Sequence, residues 1–362
     1  MERNNVILIP TLNPPKDLIE YVDSLIAAGF RRIILLNDGS DEKFSPIFRK
    51  IREKVEIDYL EHEKNQGKGR ALKNGFEFFL KKYAQDENIH GIITVDSDGQ
   101  HLVADVIKLS DEIDSAKIPT LFLGSRSFDY DFVPFKSKFG NKITTVIFGS
   151  LNGKYIKDTQ TGLRGICKEL LMNDRKYLQL QGERFEYEIN MLIYAVRKSV
   201  YIKEIPIETV YIDNNSETHF RPIKDSWKIY KVIFSNFIKY MCSSLISCAV
   251  DLLGFQICLM VLSKISVGSR IFYSTIIARI VSSVVNFVIN KKVVFENEDK
   301  SKGQLIKYYI LCVAQMLTSA VLVIGLNNLV AGEEVIKKVI VDSILFFISY
   351  HIQRKFIFKE KE

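Results

Sequence analysis

Residues 91–101 read GIITVDSDGQH, and this stretch decides the fold of the amino-terminal half of the chain. The β-branched run from Ile92 to Val95 is typical of a buried parallel strand. Asp96 and Asp98 follow it at the carboxyl end of the strand, where open α/β sheets bind ligands. Carboxylate and amide oxygens suit a hard cation, and Mg²⁺ or Mn²⁺ bridges diphosphate oxygens. The stretch predicts a metal–nucleotide site; the alternative is a polar turn that caps the next helix.

Strand and helix patterns alternate on both sides of this stretch. Apolar strand segments lie at 6–10, 32–36, 56–60, 92–95 and 120–124. Helical spacing is found at 16–28, at 42–54, after the segment 65–72 to about residue 83, and at 103–113. The alternation predicts βαβ units and a mainly parallel sheet. Asn13, Asp38, Asp96 and Asp98 all fall at carboxyl ends of strands, so the fold gathers them along one crevice. The loop Gly67-Lys68-Gly69 precedes a helix and favours phosphate binding, with a flexible turn as the alternative.

Length, charge and cysteine content narrow the class of protein. A chain of 362 residues favours two domains. The net charge of +7 indicates an anionic partner, which is nucleic acid, anionic lipid or a phosphorylated substrate. Five cysteines without a CxxC pair predict neither a disulfide framework nor a zinc site. The chain starts at once with a strand, which predicts no cleavable signal peptide and a cytoplasmic first domain.

The second half carries a membrane pattern. Candidate spans lie at 237–262, 271–290, 306–330 and 335–352, each near the ~20 residues that cross a bilayer. Basic residues crowd 224–239, 291–307 and 354–361, so the positive-inside rule places both termini and the middle loop in the cytoplasm. The segment 223–236 carries Trp227 among lysines, which predicts an interfacial helix; a core-packed helix is the alternative.

An internal repeat organises this half. FIKY at 237–240 recurs as LIKY at 305–308, and NKKVVF at 290–295 is echoed by QRKFIF at 353–358. The repeat predicts two tandem helical hairpins in parallel orientation. Arg279 and Asp342 fall at corresponding places near mid-span, and we expect them to pair, with Asp251 as the rival partner. The alternative is that one charge snorkels or faces a neighbouring subunit.

A set of ordered motifs resembles the family 2 glycosyltransferases, and is most similar to the dolichyl-phosphate mannose synthase-like, or polyprenyl-phosphate, branch. The motifs are VILIPTLN (6–13), NDGS (37–40), NQGKGRAL (65–72), DSDGQH (96–101), GSRSF (124–128), DTQTGLRG (158–165), GERFEYEINM (182–191) and HFRPIKDS (219–226). Residues 236–358 resemble a GtrA-like membrane domain. The resemblance implies a GT-A (Rossmann-like) α/β domain at 1–222, an interfacial helix at 223–236 and an all-α transmembrane domain with four spans at 237–362.

The resemblance also implies residue roles, carried over to the matching positions. The nucleotide would be bound by Pro10, Thr11, Asn13, Asp38, Gly67, Lys68, Asp96 and Ser97. The metal, Mg²⁺ or Mn²⁺, would be bound by Asp98 and Gln100 with Asp96, and the catalytic residues would be Asp96, Asp98 and Arg126. The acceptor phosphate would meet Ser125, Arg126, Lys138, Arg164 and Arg221. The first loop departs from the family's usual YNE, because it reads Leu12-Asn13-Pro14.

The chemistry that the resemblance implies is metal-dependent, inverting transfer of a sugar to a lipid phosphate. Such a phosphate is already an anion near neutral pH, so it needs positioning and charge shielding instead of a general base. We therefore predict a cytoplasmic-membrane enzyme that moves a sugar from a nucleoside-diphosphate sugar, UDP-sugar favoured, to undecaprenyl phosphate for cell-envelope glycan modification. Its partners would be donor, lipid acceptor and membrane lipids, with a possible homo-oligomer and no nucleic acid.

Three other functions remain as alternatives. One is a GDP-mannose-dependent polyprenyl-phosphate mannose synthase. Another is a glycolipid flippase or scaffold whose first domain senses nucleotide sugar. The third, a processive polysaccharide synthase, is disfavoured because such enzymes carry QxxRW, whereas the only tryptophan, Trp227, lies in IKDSW.

Overall fold

The computed structural model describes residues 2–54, 57–127, 135–208, 221–297, 299, 303–329 and 332–358. The chain divides into two compact units, Met1–Ile233 and Phe234–Glu362. His219 and Phe220, which begin the HFRPIKDS motif, lie outside the described residues.

The first unit is built on one seven-stranded sheet. Its strands are β1 (Asn5–Thr11), β2 (Ile33–Asn37), β3 (Ile57–Glu61), β4 (Gly91–Thr94), β5 (Thr120–Arg126), β6 (Arg164–Cys167) and β7 (Tyr201–Ile207). They lie in the order β3-β2-β1-β4-β6-β5-β7, and only β6 runs antiparallel to its neighbours among these strands. The prediction of a mainly parallel α/β sheet is confirmed.

Among the described residues of the first unit, seven α-helices precede the long helix that follows β7. They are α1 (Leu18–Ala27), α2 (Ser45–Arg52), α3 (Lys68–Tyr83), α4 (Val103–Asp114), α5 (Phe135–Asn152), α6 (Lys168–Asn173) and α7 (Glu186–Arg197). Strands β1, β2 and β4 are buried along their whole length, which explains their continuous apolar sequences. Helix α3 packs closely on β1 because Gly75 has no side chain. A Cβ at that position would lie only 2.5 Å from Leu8 Cδ1.

The second unit begins at Phe234, inside the long helix α8 (Pro222–Val261). It continues with α9 (Val267–Ile289), α10 (Gly303–Leu329) and α11 (Glu334–Ile352). Within the described residues, three helices are long and apolar enough to cross a membrane: 223–261, 267–294 and 303–329. The fourth predicted span coincides with α11, which carries Lys337, Lys338 and Asp342. That span stays a prediction.

The repeat is visible in the structure of the second unit. Two π-helical turns, Asn290–Val294 and Gln353–Ile357, follow α9 and α11 at corresponding places. Gln353 Nε2 donates to the Tyr240 hydroxyl at 2.9 Å, and the Tyr308 hydroxyl donates to Asn286 Oδ1 at 2.9 Å. The tyrosine of each repeat therefore forms a hydrogen bond with the other repeat: Tyr240 with the turn after α11, and Tyr308 with α9.

The prediction that Arg279 pairs with Asp342 is wrong. Arg279 Nη2 lies 3.4 Å from Asp251 Oδ2, the rival partner. Asp342 instead accepts hydrogen bonds from Lys338 Nζ at 2.9 Å and Ser319 Oγ at 2.5 Å. Asp251 lies as far after Tyr240 as Ser319 lies after Tyr308, so both contacts join the two helices of one hairpin at equivalent positions. Corresponding positions of the repeat belong to different hairpins, whereas facing positions of one hairpin are neighbours.

Candidate functional site

A pocket opens in the first unit at the carboxyl ends of β1, β2 and β4, beside the first turn of α3. It is lined by Pro10, Thr11, Leu12, Asp38, Asn65, Gly67, Lys68, Ala71, Asp96, Ser97, Asp98, Arg184 and Phe185. The loops meet here because the strands that precede them are adjacent and parallel. All the predicted nucleotide-binding residues except Asn13 line this pocket.

Asp96 is held by two cationic or polar neighbours. Lys68 Nζ lies 2.6 Å from Asp96 Oδ1, and His101 Nε2 lies 3.3 Å from Oδ2. Burial acts to raise the pKa of Asp96, but Lys68 and His101 more than offset it and hold that pKa well below its usual range. Burial likewise acts to lower the pKa of Lys68, and the carboxylates of Asp96 and Glu188 raise it. Both side chains are therefore charged.

The position of Asp96 also depends on a glycine. A Cβ on Gly162 would lie 2.1 Å from Asp96 Oδ2. The Thr94 hydroxyl donates to the Gly162 carbonyl at 2.8 Å, which holds this backbone against the end of β4. Gly162 belongs to the motif DTQTGLRG, so the motif serves the site by leaving room for the first carboxylate.

Asp98 has a different environment from Asp96. Its carboxylate accepts the backbone N–H of Gln100 at 3.1 Å and forms no ion pair with any described residue. Burial first, and repulsion from Asp96 second, raise the pKa of Asp98. Asp98 lines the pocket, so it is the carboxylate that a cation bound there would stabilise most.

The donor set fits a divalent cation that is bound together with phosphate. Among the described residues no group of three or more His, Cys, Asp and Glu side chains is arranged to hold a metal ion. Mg²⁺ and similar ions at nucleotide sites need only one or two carboxylates, because substrate phosphates and water complete the shell. Asp98, with Asp96 beside it, supplies that number.

Asp38 accepts hydrogen bonds from the loop that leads into α3. Its carboxylate accepts the backbone N–H groups of Gln66 at 2.9 Å and Gly67 at 2.7 Å, and His62 Nδ1 lies 2.7 Å from it. Gly67 has φ +100°, and a Cβ there would lie 2.3 Å from the carbonyl oxygen of Glu183. Packing and backbone conformation therefore require glycine at position 67, in addition to any contact that the loop makes with phosphate.

Asn13 joins two loops outside the pocket lining. Its backbone N–H donates to Ser40 Oγ at 2.8 Å, and its side-chain oxygen accepts the N–H of Asp41 at 2.9 Å. Its φ of +47° is a conformation that asparagine tolerates better than most residues. Asn13 thus ties the loop after β1 to the loop after β2.

The five predicted acceptor-phosphate residues do not line this pocket. Arg126 forms a bidentate pair with the buried Asp158, with Nε–Oδ2 at 2.6 Å and Nη2–Oδ1 at 3.2 Å. Ser125 is buried at the end of β5, while Lys138 on α5 is exposed. Arg221 is exposed and contacts Asp225 through its backbone N–H at 2.8 Å.

Arg164 is a structural residue in this arrangement. It is 1% exposed, and its guanidinium donates to the carbonyl oxygens of Thr161 at 3.0 Å and Glu188 at 2.8 Å. These carbonyl oxygens therefore engage the guanidinium inside the protein. Contact of Arg164 with the acceptor phosphate stays a prediction.

The comparisons with known proteins match both units. A model for glycosyl transferase family 2 matches residues 6–165, and one for the GtrA/DPMS transmembrane domain matches residues 239–358. UDP-N-acetylglucosamine–dolichyl-phosphate N-acetylglucosaminyltransferase of Methanococcus voltae is 30% identical over 227 residues, which are 57% of this chain and 86% of that protein. The chain belongs to the family 2 glycosyltransferases. Its resemblance to the polyprenyl-phosphate branch with a GtrA-like domain is confirmed.

Two further proteins are similar to this glycosyltransferase. Dolichyl-phosphate beta-glucosyltransferase of Saccharomyces cerevisiae is 29% identical over 206 residues, covering 51% of this chain and 58% of that one. Glucosyl-3-phosphoglycerate synthase of Mycobacterium tuberculosis, solved with Mn²⁺, uridine diphosphate and glucosyl-3-phosphoglycerate, superposes with a TM-score of 0.48 at 14% identity. That match covers 64% of this chain and 79% of the synthase.

Sequence reasoning did not assign several residues of the glycosyltransferase site. Arg184 and Phe185 line the pocket, and Arg184 Nε lies 3.4 Å from the buried Asp225 at the start of α8. Glu188 Oε2 lies 3.3 Å from Lys68 Nζ, so α7 supplies a second carboxylate to that lysine. The motif GERFEYEINM contains Arg184, Phe185 and Glu188, but its sequence alone does not show which of them face the pocket.

Proposed function

We propose that this chain is an inverting glycosyltransferase that moves a sugar from a nucleoside-diphosphate sugar, with uridine diphosphate as the favoured carrier, to a polyprenyl phosphate. The observation that carries the proposal is a family 2 crevice with Asp98 exposed to its pocket, on the same chain as a GtrA-type transmembrane domain. The name of the Methanococcus voltae relative specifies a UDP-sugar donor and a dolichyl-phosphate acceptor for that protein, which supports both choices here.

The residues of the crevice fit this reaction. An acceptor phosphate oxygen attacks the anomeric carbon as the bond from that carbon to the diphosphate oxygen breaks, and no proton has to be removed. A divalent cation held by Asp98 and Asp96 would stabilise the charge on the leaving diphosphate. Lys68 keeps Asp96 ionised, and His101 is bound to Asp96, so His101 serves as a positioning residue and not as a base.

A basic and apolar surface of the first unit supports work at a membrane. In α8, Ile229 and Ile233 are buried, whereas Ile223 and Trp227 are 86% and 72% exposed. The hydroxyl of Tyr230 lies 3.0 Å from Thr144 Oγ1 and joins α8 to α5. The exposed face of α5 carries Phe139 and Val146 beside Lys138 and Lys142. The buried side chains support the core-packed alternative for this helix, and the exposed apolar and basic side chains support the proposal that its other side lies at a membrane surface.

The orientation in the membrane is proposed from charge. The basic flanks at 224–239, 291–307 and 354–361 support an orientation with the first unit and both termini on the cytoplasmic side, in which α11 would be the fourth span. Nucleotide sugars would then meet the crevice directly, and the lipid phosphate would approach from the same leaflet.

The test is direct transfer. Membranes that contain the full chain are incubated with a panel of radiolabelled UDP- and GDP-sugars and polyprenyl phosphate, and the label in the lipid extract is counted. We expect one UDP-sugar to label the lipid and Asp98→Ala to lower labelling roughly 10²-fold or more. Asp111→Ala, at an exposed carboxylate paired with Arg3, is the matched control. Full labelling by Asp98→Ala would refute the metal role, and no labelling from any donor would refute the function.

A further inference from the structure

His62 is a buried histidine close to the pocket, and it has no part in the proposed reaction. It follows β3 directly, its backbone N–H donates to the Asn37 carbonyl at 2.9 Å, and its side chain is 8% exposed. Its ring lies between the crevice loops and α3, with Nδ1 2.7 Å from Asp38 Oδ1 and Nε2 2.9 Å from Asn74 Nδ2. Both ring nitrogens therefore have a partner within the protein.

The two partners assign the tautomer of the ring. Nδ1 faces an oxygen of Asp38, which accepts a hydrogen bond, and Nε2 faces the Asn74 amide nitrogen, which donates one. In this arrangement the ring donates to the carboxyl group through Nδ1 and orients it. Asn74 belongs to α3, so the ring also ties that helix to the end of β2.

The Asp38 carboxylate passes this orientation on to the pocket wall. Its Oδ1 also accepts the Gln66 N–H, and its Oδ2 accepts the Gly67 N–H. These bonds hold the loop that presents Asn65, Gly67 and Lys68 to the pocket. If the His62 hydrogen is lost, Oδ1 has one partner fewer and the carboxylate is free to turn away from the loop.

We propose that His62 is a positioning residue for nucleotide binding, which acts by orienting Asp38 and, through it, the loop at 65–67. The inference rests on the proposed function, because it assumes a nucleoside diphosphate in this pocket. Loss of His62 weakens donor binding, because Asp38 and the loop at 65–67 lose their support. It leaves the transfer step nearly unchanged, because His62 does not line the pocket in which the reaction takes place.

The experiment compares three substitutions in the purified full chain. His62→Leu keeps most of the volume and removes both hydrogen bonds. His62→Gln places its amide towards the Nε2 side and removes the donor to Asp38. His62→Asn places an N–H close to the Nδ1 position and restores that donor. Binding of uridine diphosphate and of guanosine diphosphate, each with Mn²⁺, is measured by isothermal titration calorimetry, and KM and kcat are measured for the donor.

We expect His62→Leu and His62→Gln to weaken binding of the nucleotide that the wild type prefers by about tenfold. We expect His62→Asn to stay within about threefold of the wild type, and the donor KM to rise with kcat nearly constant. His90→Leu is the matched control, because His90 Nδ1 also lies near a carboxylate, 2.8 Å from Asp114 Oδ1. His90 directly precedes β4, at the amino ends of the strands and away from the crevice.

Three results would overturn the inference: unchanged affinity in both His62→Leu and His62→Gln, an equal loss in His90→Leu, or no recovery in His62→Asn. If His62→Leu does not fold, the comparison of His62→Gln with His62→Asn decides. A wild type that binds neither nucleoside diphosphate contradicts the proposed function as well, whereas normal wild-type binding with unaffected variants contradicts this inference alone.

Discussion

Two carboxylates one residue apart in the chain differ in chemistry because their neighbours differ. Lys68 and His101 contact Asp96 and hold its pKa low, so that it stays ionised. Burial and the charge on Asp96 instead raise the pKa of Asp98. A cation bound in the pocket would offset both the cost of burying the Asp98 charge and its repulsion by Asp96. At the scale of the residue, Asp96 is therefore a fixed charge, and Asp98 is the group that gains most from a metal.

The close approach of Gly162 to Asp96 leads to a prediction. Gly162→Ala places a methyl group where Asp96 Oδ2 now lies, because the added Cβ would be only 2.1 Å from it. We expect the carboxylate to turn away and transfer activity to fall at least about tenfold. Gly140→Ala is the control, since its Cβ would meet nothing within 4 Å in helix α5. Wild-type activity in Gly162→Ala would show that the position of Asp96 does not matter.

Glu183 gives a prediction on pH. Burial acts to raise its pKa, but hydrogen bonds from Arg70, at 2.7 and 2.6 Å, and from Lys73 lower it. A lowered folded-state pKa stabilises the protein above the unfolded value of about 4.3, and this contribution is lost as the pH falls through the folded-state pKa.

We therefore expect Glu183→Gln to lower the melting temperature at pH 7 by roughly 1–3 °C, since the pair is half exposed. We expect the difference from wild type to shrink steadily below about pH 4.3. Glu77→Gln, at an exposed glutamate on α3, should have no such pH-dependent effect. A difference that grows on acidification would contradict the ion pairs.

At the scale of the element, helix α3 explains the motif at 65–72. Gly67 and Gly69 leave no room for a side chain, because a Cβ on either would contact the segment 183–187 at 2.3 to 2.6 Å. The glycines bring that segment against the first turn of α3, and so bring Arg184 and Phe185 to the pocket. The interpretation as a phosphate loop and the interpretation as a structural turn are therefore not exclusive.

The helical hairpins of the second unit give a prediction by charge exchange. Asp251→Arg and Arg279→Asp each leave two like charges facing one another in an apolar segment, which lowers the yield of folded protein. The double exchange restores the contact, and we expect it to recover at least half of the lost yield. Arg279→Asp with Asp342→Arg, whose partners lie in different hairpins, should not recover it. Size-exclusion profiles in detergent measure the folded fraction, and rescue by the second pair alone would contradict the observed contact.

At the scale of the whole molecule, one tryptophan reports on the membrane. Trp227 is the only tryptophan of the chain and is 72% exposed on the first unit. If the surface formed by α5 and the start of α8 rests on lipid, its indole lies at the interface, where tryptophan is favoured.

We expect brominated phospholipid to quench the tryptophan fluorescence of the reconstituted protein by about half, and aqueous acrylamide to quench it weakly. The Trp227→Phe variant measures the tyrosine background. Strong quenching by acrylamide with none by brominated lipid would place this surface in water and remove its support for the proposed membrane contact.

The sequence by itself determined the α/β class, the crevice at the strand ends and the membrane character of the second half. These follow from hydrophobic periodicity and from the order of short motifs, both of which are local in the chain. The antiparallel strand β6 and helix α5 were not foreseen, because β6 is only four residues long and pairs with strands from other parts of the chain.

Only the tertiary structure decided which side chains meet. Lys68 between Asp96 and Glu188, His62 behind Asp38, the buried position of Arg164 and the pairing of Arg279 with Asp251 all join residues that are far apart in sequence. Such contacts depend on the register of strands and on the packing of helices, which no local pattern specifies. The physical reason is that hydrogen bonds and ion pairs act over a few ångströms, so their partners are known only once the chain is folded.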